Sequence, residues 1–325
     1  MIVITGGAGF IGSAFAWKCN LEGRSDLIIV DNIQKNEKWR NLVSIQYHDY
    51  LHKSDFIEQI ITGTFSHKVD AIVHMGACSA TTEMDMDYLM ENNYRYTKIL
   101  AEWCLKNGVR FIYASSAATY GNGEFGFEDD ESNVKQLKPI NRYGYSKQLF
   151  DLHALNQGWM DRIVGLKFFN VFGPNEFHKE GMRSVMCKAY PDVLKTKRMN
   201  LFKSYRKNYT DGGQQRDFVY VKDVVTVIWW LMNSASVSGL FNVGTGTSRS
   251  WNDLSVALFK SMNIPPAIDY IDMPDNLINQ YQYYTQALMN KLKGQGCDIN
   301  FMTLEEAMDD YVSGYLKDGN FLASV

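Results

Sequence analysis

The chain has 325 residues, 46% of them hydrophobic and 21% charged, with a formal net charge of −3; these are ordinary globular values and exclude a disordered or collagen-like chain. Its most apolar run, Val224 to Met232, is far shorter than the ~20 residues that span a bilayer, so no membrane association is expected. The opening MIVITGGAGF lacks the basic and long apolar regions of a secretory signal, which points to the cytoplasm.

In chain order, Ile2 to Thr5 reads as a strand and is followed by a helix from about Ile11. Further strands are expected at Leu27 to Val30, Ala71 to His74, Phe111 to Ser115 and Ile163 to Phe169, with helices near Tyr94 to Lys106 and Tyr145 to Asn156. Apolar strands alternating with helices imply a parallel sheet covered on both faces, an α/β class with a Rossmann-type doubly wound sheet. After Gly173-Pro174 the texture changes. Between His178 and Arg216 there are ten Lys or Arg against three acids, a segment of +7 on an otherwise acidic chain. A local cationic zone suits a compact phosphate ligand better than nucleic acid, which favours a more basic whole domain.

Phe218 to Met232, with Asp223 as N-cap, and Leu240 to Val243 read as βα pieces that return to the first domain. In the tail, Thr303-Leu304-Glu305-Glu306 predicts a capped last helix. The expected division is therefore a dinucleotide-binding domain over 1–173, rejoined by 217–246, and a smaller mixed α/β substrate lobe from 174–216 and 247–325.

Five cysteines, Cys19, Cys78, Cys104, Cys187 and Cys297, are widely spaced without a C-x-x-C pair and read as reduced core thiols. His48 and His52 are four apart, but Asp49-Tyr50 between them reads as a loop, so no metal site is expected.

Gly6, Gly9 and Gly12 follow the first strand and open the first helix, and Asp31 closes the second strand. Glycines here allow a tight turn and close approach of backbone to a pyrophosphate, while the helix N-terminus attracts the phosphates. Tyr143 and Lys147 are one helical turn apart. A hydride leaves a carbinol carbon only as the hydroxyl proton is removed, and a tyrosine becomes a base for that proton when a cation favours its phenolate. Ser116, in the run Ser115-Ser116-Ala117-Ala118, is placed to hydrogen-bond the same oxygen.

The G-x-x-G-x-x-G spacing, Tyr143-x-x-x-Lys147 and the Ser115 to Gly121 segment together resemble the extended short-chain dehydrogenase/reductase family. The match runs from residue 1 to about 250 and includes Val73 to Ala77, Phe169 to Pro174 and Arg216 to Val221. Within that family, Gly76 to Glu83, Asn92-Asn93-Tyr94, Tyr143 to Lys147 and His178-Lys179 are similar to the branch that epimerises C6 of ADP-glycero-manno-heptose, over nearly the full length.

That resemblance implies oxidation of an exocyclic carbinol of a nucleotide sugar and its re-reduction from the other face, with a tightly held NADP. Inversion wants a second acid/base, which the resemblance assigns to Lys179, where neighbouring positive charges are expected to lower its pKa. For the cofactor it implies Gly6, Gly9, Phe10, Ile11, Gly12, Asp31, Asn32, Lys38, Lys53, Met75, Gly76, Ala77, Cys78, Ser79, Asn92, Lys147 and Val171. Asp31 alone would favour the ribose hydroxyl of NAD, whereas Lys38 and Lys53 favour NADP. For the substrate it implies Ser79, Asn170, Lys179, Gly181, Lys188, Phe202, Lys203, Ser204, Tyr205, Arg216 and Tyr281, with the Arg216 guanidinium forking onto a diphosphate. It further implies a homo-oligomer, a homopentamer.

Met75, Gly181 and Lys188 depart from that branch, where an acid, a small hydroxyl residue and a histidine are expected. A nucleotide-sugar dehydratase or 4-epimerase is the main rival, weakened for a 4,6-dehydratase because Ala117-Ala118 stand where an acid pair is needed. A non-catalytic NADP sensor has no need of Ser116, Tyr143 and Lys147 together.

Overall fold

In a computed structural model, which describes residues 1–278 and 281–323, the chain first lays down β1 (Ile2–Thr5), α1 (Phe10–Leu21), β2 (Leu27–Asp31), β3 (Asp49–His52), α2 (Lys53–Thr62) and β4 (Ala71–His74). A short α3 (Met86–Leu89) passes through a π turn (Met90–Arg95) into α4 (Tyr96–Asn107), followed by β5 (Arg110–Ser116), α5 (Arg142–Asn156) and β6 (Val164–Phe168). The rest is β7 (Asn170–Phe172), α6 (Val185–Thr196), β8 (Met199–Phe202), β9 (Gln215–Tyr220), α7 (Val221–Asn233), β10 (Gly239–Val243), β11 (Ser248–Ser250), α8 (Trp251–Ser261), β12 (Ile268–Ile271), α9 (Asp275–Ile278), α10 (Asn290–Gly294) and α11 (Leu304–Tyr311). Among the described residues no helix is long and apolar enough to cross a membrane.

Seven strands form one parallel sheet in the order β3-β2-β1-β4-β5-β6-β10. Successive side chains of a strand face opposite sides. Ile2 and Ile4 of β1 accordingly pack with α1 and α7, and Val3 packs with α2, α4 and α5. Both faces are covered, which is why the strands read as unbroken apolar runs. Strand order reverses between β1 and β4, and the crevice beyond the carboxyl ends of those strands is where a doubly wound sheet takes its ligand. A second lobe holds β11-β9-β7 and the pair β12-β8, with its own core from α6, α8 and α11.

Two expectations need correction. The stretch Asp49-Tyr50 is not a loop but the start of edge strand β3, paired with β2. None of its four residues is fully buried, so no apolar run announces it. His48 and His52 thus share no helix, and the His52 ring caps α2 by accepting the Ser54 N–H. Asp223 is not an N-cap. It sits inside the first turn of α7, and its carboxylate accepts the Met302 N–H at 2.9 Å. The capping box at Thr303 and Glu306 is present, with both reciprocal bonds made.

The crevice depends on close backbone approach. Gly6 has φ +65°, and a Cβ there would stand 2.6 Å from the Gly76 nitrogen at the end of β4. At Gly12 a Cβ would stand 2.1 Å from the Gly6 carbonyl oxygen, inside any tolerable contact. Gly12→Ala should therefore push α1 off the turn. The expected result is a loss of about 2–4 kcal/mol in chemical denaturation together with loss of cofactor retention.

Candidate active site

A single cleft runs from the turn between β1 and α1, past the ends of β4 and β5, to the start of α6 in the second lobe. Its floor is set by the first turn of α5. Asn141 caps that helix by accepting the Gly144 N–H at 2.7 Å, which puts Tyr143 in the first turn and Lys147 one turn further, both in the cleft wall. Ser116, the last residue of β5, lies opposite. Its Oγ accepts the Ala118 N–H at 3.1 Å, so the hydroxyl proton remains free to be donated into the cleft.

Electrostatics separate these groups. Burial pushes the Tyr143 phenol up, and the Ser116 hydroxyl pulls it the other way. Burial thus disfavours the charged phenolate, and a positive charge placed beside the phenol would favour it. Burial pushes Lys147 down to about 8, opposed by the negative fields of Asp151 and Cys78. Beneath it His74 is fully buried, held down to about 3 by burial and by the Lys147 charge, and remains a neutral ring.

Asn93, which the sequence reading leaves without a role, fixes the opposite wall. It lies in the π turn, a distortion common at functional sites. Its amide oxygen accepts the Cys78 N–H at 2.8 Å, and its nitrogen donates to the Cys78 carbonyl and to Ser146 Oγ, each at 3.0 Å. One side chain thus ties the loop after β4 to α5. The signal in the sequence was only that an Asn-Asn pair interrupts an otherwise good helix. Cys78 itself is half-buried in the cleft rather than in the core, unlike the other four thiols, which are buried and free.

At the other end, Asp31 accepts the Ala8 N–H at 2.9 Å and the Asn32 N–H at 2.7 Å, and Lys38 Nζ lies 3.0 Å from the same carboxylate. Lys53 donates to Asn92 Oδ1 at 2.7 Å; burial and then the Lys38 charge hold its pKa down. Lys38 pairs with Asp31 while Lys53 is held by Asn92, and Asn32 Oδ1 is buried with no partner. The glycine turn and the α1 N-terminus without a side-chain cap fit the pyrophosphate of a dinucleotide, and the open Asn32 acceptor fits a hydroxyl or amino donor of its adenosine end.

From the second lobe come Lys179 and Arg183. Lys179 lies in the turn Phe177–Met182, with Nζ 5.1 Å from the Phe10 ring centroid. Its pKa is lowered chiefly by burial, with Glu176 opposing and Lys188 adding only a lesser push, so desolvation and not the surrounding cations is the main cause. The adjoining Glu176, fully buried, accepts from Ser184 Oγ at 2.6 Å and from the Tyr311 hydroxyl at 3.0 Å. Those bonds moor the turn that carries Lys179 to α6 and α11.

All the expected cofactor residues, with Ser116, Tyr143, Asn170 and Lys179, line this cleft. The remaining expected substrate residues do not. Gly181 and Lys188 are exposed and bonded to each other through the Gly181 carbonyl. Phe202, Arg216 and Tyr281 form an aromatic-cationic cluster behind Trp251, with the Arg216 guanidinium 5.9 Å from the Trp251 ring and 5.3 Å from the Tyr281 ring. Arg216 spends two donors on the carbonyls of Gln215 and Gln282. Lys203 and Tyr205 contact Asp272, and Ser204 contacts Asp211. Trp251 and Arg183, which do reach the cleft, carried no motif that the sequence reading used.

The chain matches the family model described as the NAD dependent epimerase/dehydratase family over residues 2–244. It belongs to that family. Its cofactor is accordingly a nicotinamide dinucleotide. The chain is 55% identical to the ADP-L-glycero-D-manno-heptose-6-epimerase of Nitratidesulfovibrio vulgaris (strain DP4) over 97% of its own length and 98% of that protein. It is 44% identical to the enzyme of the same name from Fusobacterium nucleatum, over 99% and 100%. Among solved structures, the Helicobacter pylori ADP-L-glycero-D-manno-heptose-6-epimerase superposes with a TM-score of 0.81 at 28% identity, covering 96% of this chain and 95% of that one. UDP-glucose 4-epimerase from Thermotoga maritima, at 24% identity and TM-score 0.80, covering 98% and 99%, shares the fold.

Asn93→Ala removes four side-chain hydrogen bonds, one of them from Asn92, and leaves both Cys78 backbone groups unpaired in a part-buried wall. Expected is a loss of about 2–3 kcal/mol of stability and at least a tenfold fall in turnover, measured by urea denaturation and steady-state kinetics.

Proposed function

We propose that the protein inverts C6 of ADP-glycero-manno-heptose by transient oxidation and re-reduction within one closed cleft. The observation that carries this reading is near-full-length identity to enzymes of that name, joined to a cleft that brings a Tyr-Lys-Ser group from one lobe to face a desolvated lysine from the other. A bound nicotinamide dinucleotide supplies the hydride acceptor and, on the return, the hydride donor. Gly6, Gly9 and Gly12 admit its pyrophosphate, and Asp31, Asn32, Lys38 and Lys53 hold its ribose end. Lys38, paired with Asp31, and Lys53, bonded to Asn92, supply the positive charge that supports NADP over NAD.

Tyr143 takes the carbinol proton as the hydride leaves, with Ser116 donating to the same oxygen and Lys147 stabilising the phenolate. Turning the keto intermediate over carries its oxygen away from Tyr143. Lys179, desolvated and moored through Glu176, then handles the proton for the second face. A lysine whose pKa burial lowers gives up its proton more readily than a solvated one, which suits a group that must both release and accept a proton. A homo-oligomer in the cytoplasm belongs to the same reading by resemblance.

The direct test is incubation with ADP-heptose of either C6 configuration followed by NMR. The expected outcome is an equilibrium mixture of both epimers with no net change in cofactor redox state. No inversion from either side, with cofactor bound, would overturn the reading. In the same assay Tyr143→Phe should lower turnover by roughly 10²–10⁴-fold with cofactor retained.

Lys53→Ala addresses the cofactor. Removing one of two cations beside the ribose should cost NADP about 1–2 kcal/mol of binding and leave NAD nearly unaffected, read by calorimetry on the cofactor-stripped protein.

A further inference from the structure

Asp151 lies one helical turn beyond Lys147 on the same face of α5 and is completely buried. Its carboxylate accepts from the Tyr113 hydroxyl at 2.9 Å, from Ser115 Oγ at 2.7 Å and from Lys167 Nζ at 2.9 Å. Lys147, only 3% exposed, has no carboxylate within ion-pair distance among the described residues, since Asp151 makes its contact with Lys167. We propose that Asp151 is a positioning residue for the reaction: its buried charge keeps the Lys147 ammonium protonated while its hydrogen bonds hold that turn of α5 against β5 and β6.

One carboxylate here serves two buried cations, one by contact and one by its field. Lys167 is not held by Asp151 alone. Its ammonium also donates to Thr119 Oγ1 at 2.7 Å and stands 5.0 Å from the Tyr120 ring centroid. If the pair existed only to neutralise Lys167, nothing would require it beside Lys147. The groups facing Lys147 are Tyr143 and Asp151 from its own helix, His74 from β4 and Cys78 from the loop after β4. Of these, His74 is neutral, and Asp151 is the largest influence opposing the loss of the Lys147 proton by burial. Those facing Asp151 are Tyr113 and Ser115 from β5 and Lys167 from β6. A neutral Lys147 could not stabilise a Tyr143 phenolate, so the field of Asp151 reaches the proton-transfer step through Lys147.

This inference rests on the proposed role of Lys147, and the test separates the two. Asp151→Asn alone would strand the Lys167 charge in the core. The double variant Asp151→Asn with Lys167→Met removes both buried charges and keeps the packing volume. Turnover is followed from pH 6 to pH 10, with circular dichroism and cofactor content as controls. The alkaline limb of the double variant should move down, by less than the roughly one pH unit that a lone buried charge a helical turn away is worth, because the lost Lys167 cation offsets part of the lost Asp151 charge. Lys167→Met alone, which leaves Asp151 with its two hydroxyl donors and without the opposing cation, should move the limb up.

An alkaline limb that stays in place in whichever of these variants folds overturns the proposal. Lys147→Met should lose at least 10²-fold in turnover at every pH. Should Lys147→Met retain its activity, the reading of Lys147 falls and this proposal with it. Should Lys147→Met lose activity while the limb stays fixed in the other variants, only the role of Asp151 falls.

Discussion

The position of the helix that carries Tyr143 and Lys147 depends on one buried carboxylate. A helix packed on a sheet through apolar contacts alone can slide by fractions of an ångström at small cost. Asp151 limits that freedom, because its three donors come from β5 and β6 and a slide of α5 would stretch those bonds. Breaking a buried pair of this kind typically costs about 3–5 kcal/mol, since the partner is left uncompensated. Ser116 sits one residue beyond one of those donors, at the end of β5. The distance between the serine and the tyrosine is thus set by the same bonds that hold the helix.

The second half of the site repeats this physical solution on a different scaffold. Glu176 is a buried carboxylate satisfied by neighbours other than the lysine it influences, and Lys179 lies three residues beyond it. Burial lowers the pKa of each lysine, and a nearby carboxylate opposes that shift in each case. The two lobes bring them into one cleft from opposite sides, the arrangement needed when a planar intermediate presents first one face and then the other.

The parallel sheet, the glycine turn and the Tyr-Lys spacing were legible in the sequence because each depends on contacts close along the chain. Strands of the sheet centre advertise themselves as apolar runs, and β1, β2, β4, β5, β6 and β10 fall within two residues of the expected positions. Edge strand β3 was hidden because half its surface faces solvent. The cofactor half of the cleft follows from motifs. The substrate half does not, since Arg183 and Trp251 reach it from the turn before α6 and from the start of α8 through tertiary packing without any local pattern. Arg216 shows the converse: the family resemblance implied a phosphate clamp there, while the fold engages two of its donors with backbone carbonyls behind Trp251. Asp151 is likewise visible as an acid on a helix, but its isolation from solvent is a property of the folded sheet only.

The placement of β10 bears on how the molecule is made. It pairs along the whole of β6, yet the chain first builds β7 to β9 and α6 of the other lobe before supplying it. Until then β6, buried on both faces in the finished protein, presents an open edge. Roughly 70 residues separate the two strands, and at typical synthesis rates that leaves the edge unpaired for about 4–14 s on the ribosome. An open apolar edge is a template for mispairing with another nascent chain. The main sheet therefore cannot close from its N-terminal portion alone, and its β6 side stays open until the chain returns from the other lobe.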